Sequence, residues 1–216
     1  MALFELLQNN KGTVSSALGK ELAKKVLEGN FDILYEAIEL SVYNAHDKKE
    51  KNIRSGAAKI VEIVAEEKPR LVAPHLEKLV PALTVDEPQT RWMIIRTMGF
   101  CAVLNPLVAA NAIKYAEKFI SKKEGLCIAS SADLFLGDYG AISKKNAATI
   151  FPILEKSVST IIKNEEDWLL ESFIKIFKNL GGDEQEIILS FARLNGDSKR
   201  KSTQERVKKL MKLNTD

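Results

Sequence analysis

Apolar residues recur at spacings of three and four along nearly the whole chain, and no stretch sustains the alternation that a half-buried strand needs. The pattern predicts an all-α protein, and the abundance of Ala, Leu, Lys, Glu and Ile suits helices. Predicted helices span 2–8, 14–28, 31–44, 49–66, 70–83, 88–104, 107–121, 125–142, 144–162, 166–181, 184–194 and 203–213. The connections are short, so neighbouring helices should pack antiparallel. Pro69, Pro88 and Pro106 fall at or near helix starts, where a missing N–H is harmless. Gly29-Asn30 and Gly181-Gly182 stand where helices should stop. Ser202 and Glu205 have the spacing of a capping box before the last helix. Pro81 and Pro152 lie inside predicted helices and should kink or shorten them.

The helices also repeat as pairs. A shift of 37 residues lays Ile53-Arg54 on Thr90-Arg91, Val61 on Met98 and Pro69 on Pro106. A further 38 carries Met98-Gly99 onto Leu136-Gly137, and 44 more reaches Leu180-Gly181. The repeats fall roughly at 14–44, 49–83, 88–121, 125–162 and 166–194, with a capping helix over 203–213. One helical hairpin cannot bury both its apolar stripes, whereas stacked hairpins share a continuous core between two helix layers. The expected organisation is a single repeat domain covering 1–216.

The run Glu87-Pro88-Gln89-Thr90-Arg91, then Ile94-Ile95 and Met98-Gly99, resembles the D-P-x-V-R-x-x-A-A-x-x-L-G pattern of HEAT and armadillo-like repeats. Ile53-Arg54, Ala57-Ala58 and Val61 resemble it one repeat earlier. Ile128-Ala129, Ala132 and Leu136-Gly137 resemble it one repeat later, without the arginine. The resemblance implies a right-handed α-solenoid of about five hairpins, with a concave face lined by the second helices. In such a family the arginine at the Arg54 and Arg91 position usually pairs with acidic turn residues of a neighbouring repeat; contact with a ligand is the other reading.

Composition narrows the function classes. With 45% apolar residues the chain has enough for a sizeable core. A net charge of +3 permits nucleic-acid binding without arguing for it. Cys101 and Cys127 sit in apolar helical patterns and read as buried, reduced thiols of a cytoplasmic protein. No uninterrupted apolar stretch is long enough for a membrane span, and the start lacks the basic region of a signal peptide. His46 and His75 are the only histidines and have no spaced partner, so no metal site, cofactor or catalytic set is assigned. Gly137 and Gly140 should permit close helix packing.

Candidate interaction residues remain. Trp92 and Arg96 are not demanded by the repeat. Trp92 and Trp168 are either stacking faces for a base or large, partly buried core residues. By repeat phase Asn111, Lys114, Tyr115, Lys118, Thr149 and Lys156 are exposed on second helices. From Lys199 to Lys212 seven basic residues meet one acid, Glu205; the apolar side, Val207, Leu210 and Met211, should cap the array. The runs "ADLFLGDYGAI" from Ala132 and "EDWLLESF" from Glu166 resemble AlkD-type alkylpurine DNA glycosylases, themselves stacks of HEAT-like repeats. Gly125, Ala129 and Glu171 occupy the places where that family carries catalytic residues, so the resemblance implies a relative without base-excision activity. The expected function is a non-enzymatic scaffold or protein-binding module. The alternative is an AlkD-like protein that binds duplex DNA.

Overall fold

The computed structural model describes residues 3–10, 17–121, 125–161 and 166–214. All regular structure among them is helical, with no strand. The chain divides into two compact units, Met1–Ala112 and Ile113–Asp216.

In the first unit α1 (Leu3–Asn9), α2 (Ala17–Leu27) and α3 (Phe31–Leu40) pack around α4 (Lys51–Glu67). Then come α5 (Pro69–Val72), α6 (Leu76–Leu79), α7 (Pro88–Cys101) and α8 (Pro106–Ala110). α4 lies between α2 and α7, so its apolar positions are covered on several sides: Ile53, Ala57, Ala58, Ile60, Val61 and Val64 are all buried. Alanines at the centre of that list let the flanking helices approach closely. In the second unit α9 (Ile113–Ser121) and α11 (Lys144–Thr160) flank α10 (Leu126–Gly140). α12 (Glu166–Ile176), α13 (Gly182–Leu194) and α14 (Lys201–Leu213) complete it, with α12 between α10 and α14.

Most expected helices are present, and four expectations need correction. The predicted helix over 70–83 is α5, a 3-10 turn at Ala73–His75, α6 and another 3-10 turn at Val80–Thr84. Pro74 and Pro81 each occupy the second position of a 3-10 turn, where the missing N–H breaks the α-helical ladder. The predicted helix over 107–121 is two, because Asn111 and Ala112 form a turn in which their amides bond to Val108 and Ala109. Pro152 does not end α11, which runs on to Thr160; Ile150, Phe151, Ile153 and Leu154 are buried on either side of it and hold the helix by packing. The capping box is not formed: α14 begins at Lys201 after Arg200, so Ser202 lies inside the helix, and the Ser198 hydroxyl instead accepts from the Arg200 amide. The expected start of the second helix, at 14–16, lies outside the described residues.

Several side-chain bonds between elements, one in the first unit and the rest in the second, span 37 to 39 residues, among others that span 24 to 41. Lys78 Nζ bonds Glu39 Oε1 across 39 residues (2.6 Å). Lys156 Nζ bonds Glu117 Oε1 across 39 (2.9 Å), and the Ser172 hydroxyl donates to the Asp133 carbonyl across 39 (2.8 Å). Lys175 bonds Asp138 across 37 (2.6 Å). This spacing matches the repeat length read from the chain.

A close helix approach occurs at Gly137, where an added Cβ would lie 2.7 Å from Ser172 Cα. Backbone cannot yield as a flexible side chain would. Gly137→Ala is expected to push α10 and α12 apart and cost about 1–3 kcal/mol, read as a lower urea midpoint by circular dichroism. An unchanged midpoint would show that the contact is not a tight one.

Candidate functional site

Arg54 is fully coordinated within the first unit. Its side chain is fully buried. Nε and Nη2 donate to the two carboxylate oxygens of Glu87, at 2.7 and 2.8 Å. Nη1 donates to the carbonyls of Tyr43, Asn44 and Asp47, at 3.1, 2.7 and 3.1 Å. One guanidinium therefore joins the turn after α3, α4 and the start of α7, where Glu87 also accepts from the Thr90 hydroxyl at 2.8 Å. A planar fork with five N–H donors suits this role and lysine does not. Arg54 is thus occupied internally. Arg91, half-exposed, donates to the Asp86 carbonyl in the turn before its own helix at 3.3 Å. A cleft of about 500 Å³ opens over this region, lined by Lys48, Lys51, Asp86, Glu87, Pro88 and Gln89.

Trp92 and Arg96, singled out because the repeat does not require them, are both half-buried on α7. The Arg96 guanidinium lies 4.4 Å from the centre of the Phe100 ring. Its charge also acts on Glu62 of α4, whose carboxyl is raised mainly by burial while Lys59 and Arg96 oppose the rise. Arg96 is therefore tied into the first unit's own packing. Asn111 is exposed in the turn after α8.

In the second unit the candidate residues form a lysine-bearing surface on α9 and α11. Lys114, Lys118, Thr149 and Lys156 are exposed, and Tyr115 is half-buried with Lys114 Nζ 5.0 Å from its ring centre. Lys156 is offset by Glu117. The Thr149 hydroxyl bonds back to the Lys145 carbonyl at 2.9 Å. This unit also holds the chain's charge excess, with 18 basic and 15 acidic residues against 14 and 14 in the first.

Trp168 is on α12. It is half-buried, with the Arg206 guanidinium 5.9 Å from its ring, inside the range of cation–π attraction. Glu171 fixes that guanidinium, accepting from Arg206 Nε at 3.0 Å. A base stacking on this ring would compete with an internal cation. Beside it, the buried Asp167 approaches Arg200 at 3.5 Å.

Sequence reasoning missed Asp133. Its carboxyl is buried between α10 and α11 and accepts from the Ser157 hydroxyl at 2.8 Å. Burial pushes its pKa from 3.8 up to about 7, with the Ser157 bond opposing. The signal was present as a lone acid in the otherwise uncharged run "CIASSADLFLG". The cysteine reading is half corrected. Cys101 is buried and burial pushes its thiol up to about 12, so it is an inert core group. Cys127 is exposed, because it shares the outward stripe of α10 with Ser130, Leu134 and Asp138, all only partly covered. No group of three or more His, Cys, Asp or Glu side chains is placed to hold a metal among the described residues. No helix among them is long and apolar enough to cross a membrane.

No protein-family model matches the chain, and no curated protein sequence matches it. Its fold is similar to that of the crystal structure of an engineered protein, with a TM-score of 0.69 over 97% of this chain and 94% of that one. The two are 13% identical, so the likeness concerns the fold alone.

Proposed function

We propose that the chain is a non-enzymatic scaffold of the HEAT-like kind, a right-handed α-solenoid whose second helices present a preformed groove to a protein partner. The observation that carries this reading is the set of side-chain bonds one repeat apart, Lys78–Glu39, Lys156–Glu117, Ser172–Asp133 and Lys175–Asp138. The buried Ser172–Asp133 bond and the sheltered Lys175–Asp138 pair tie neighbouring helices, while the two exposed pairs add little; a preformed groove loses little ordering entropy when a partner binds. The internal use of Arg54 agrees, since the repeat arginine is structural. The residues offered to the partner are Asn111, Lys114, Tyr115, Lys118, Thr149 and Lys156.

The test is affinity purification with quantitative mass spectrometry, comparing the wild type with Lys114→Ala/Tyr115→Ala/Lys118→Ala. Tyrosine is a frequent interface anchor. At least one partner is expected to fall about tenfold, the equivalent of ~1.4 kcal/mol, while the helical circular dichroism is unchanged. Equal recovery of every partner sinks the assignment of this surface.

The basic excess of the second unit favours a second reading, an AlkD-like DNA-binding protein without glycosylase activity. Glu171, standing where that family has an arginine, is engaged with Arg206. This reading expects duplex binding that weakens steeply as salt rises, because bound lysines release counterions. No duplex binding at about 50 mM salt removes it, and release of methylated purine would instead restore an enzymatic role.

A further inference from the structure

The first unit carries a second candidate surface of its own. From Thr97 to Ala112 the chain has no charged residue. The turn between α7 and α8 and the first turn of α8 lie in this run and leave apolar side chains in water: Val103 is 68%, Leu104 41% and Leu107 84% exposed. Scattered exposed leucines are ordinary, but a contiguous apolar patch marks a contact surface. Next to Leu104 is an open cleft of about 270 Å³ lined by Arg70, Ala73, Pro74, Leu104 and Asn105.

The cleft is held in shape. Asn105 Nδ2 donates to the Ala73 carbonyl at 3.1 Å, and the Cys101 thiol reaches the Pro69 carbonyl at 3.6 Å. These bonds tie the α7–α8 turn to α5 and the turn that follows it. Pro69 and Pro74 stiffen that wall. The His75 ring, one residue after Pro74, meets Tyr35 edge-on at 5.3 Å, and Tyr35 is 49% exposed.

Arg70 supplies the polarity. It is exposed at the rim and has no hydrogen-bond or ion-pair partner among the described residues. The nearby cation Lys68 is engaged with the Leu27 carbonyl at 2.8 Å. A free guanidinium beside an apolar cleft complements a carboxylate that lies next to an apolar side chain. Pockets for small molecules usually enclose ~300–1,000 Å³; this cleft is smaller and open, which suits one large side chain of a peptide.

We infer that this cleft docks an acidic peptide segment of a protein partner, with a leucine or aromatic side chain seated against Pro74 and Leu104 and a neighbouring carboxylate on Arg70. The inference rests on the protein-binding reading and gives it a second surface and a partner chemistry.

Random dodecapeptides displayed on phage would be selected against the full chain. The enriched sequences, made as fluorescein-labelled peptides, would be titrated by fluorescence anisotropy. They are expected to pair Leu, Phe or Trp with Asp or Glu. Arg70→Glu and Leu107→Asp are each expected to weaken binding by about tenfold or more, with unchanged circular dichroism. Lys114→Ala/Tyr115→Ala/Lys118→Ala should leave binding as it is. Absence of enrichment, or peptides indifferent to both Arg70→Glu and Leu107→Asp, overturns the docking site. Peptides that respond only to the triple variant also overturn it while leaving the protein-binding reading intact. A wild-type dimer in sedimentation that Leu107→Asp makes monomeric assigns the patch to a second copy and overturns it as well.

Discussion

Arg54→Met is expected to destabilise the first unit by about 3–5 kcal/mol, the usual cost of removing one partner from a buried ion pair. The methionine fills much of the space but leaves the Glu87 carboxylate, 7% exposed, without its counter-charge. It also strips the carbonyls of Tyr43, Asn44 and Asp47 of their common donor. Asn44 makes that turn tight, because its φ of 42° is in the left-handed region. Adding Glu87→Leu should recover only part of the loss, since the carbonyls remain without Nη1. Arg54→Lys should fall between, keeping the charge and losing the fork. Urea unfolding followed by circular dichroism reads all three. A loss under ~1 kcal/mol for Arg54→Met, the scale of an exposed pair, would mean the site is wetter than its burial indicates.

The second large effect is pH-dependent. The Asp133 carboxyl has its pKa raised to about 7 by burial, whereas the unfolded chain should titrate it near 3.8. Below the lower value both states bind the proton and the group is neutral in both. Between the two values the unfolded state gives up its proton while the folded state keeps it, so stability falls as pH rises. Above about 7 the folded state ionises too, and the loss levels off. The span between the two values sets the total, on the order of 4 kcal/mol. Asp133→Asn keeps an oxygen to accept from Ser157 and removes the ionisation. The difference in stability between the Asp133→Asn variant and the wild type should therefore widen in favour of the variant from about pH 4 to about pH 7. A difference that is flat with pH would show that Asp133 titrates as a normal carboxyl. Acids and lysines elsewhere titrate in both proteins and cancel in the comparison.

How much of the candidate surface was legible differs by residue. Lys114, Lys118, Thr149 and Lys156 were placed by helical phase alone, and exposure follows phase when a helix packs on one side only. Cys127 shows where that reasoning stops, because an apolar pattern does not say which face has a covering neighbour. Arg96 and Trp168 had no assigned partner in the sequence. Their contacts with Phe100, Glu62 and Arg206 come from other turns and other helices. The Arg70 cleft was also hidden, because it joins residues about thirty positions apart across a turn broken by Pro74.

By itself the sequence determined the all-helical character of the described residues. Periodic burial and proline or glycine punctuation are local properties, and each helix carries its own copy of them. The resemblance of the chain's motifs to HEAT-like repeats also implied a structural role for Arg54, with ligand contact as the other reading. Only the tertiary structure decided which partner that is, where the predicted helices break, and that Asp133 has its carboxyl buried beside Ser157. Those outcomes depend on which side chains from distant segments meet, and on how much water the meeting excludes. Neither quantity is written in the spacing of residues along the chain.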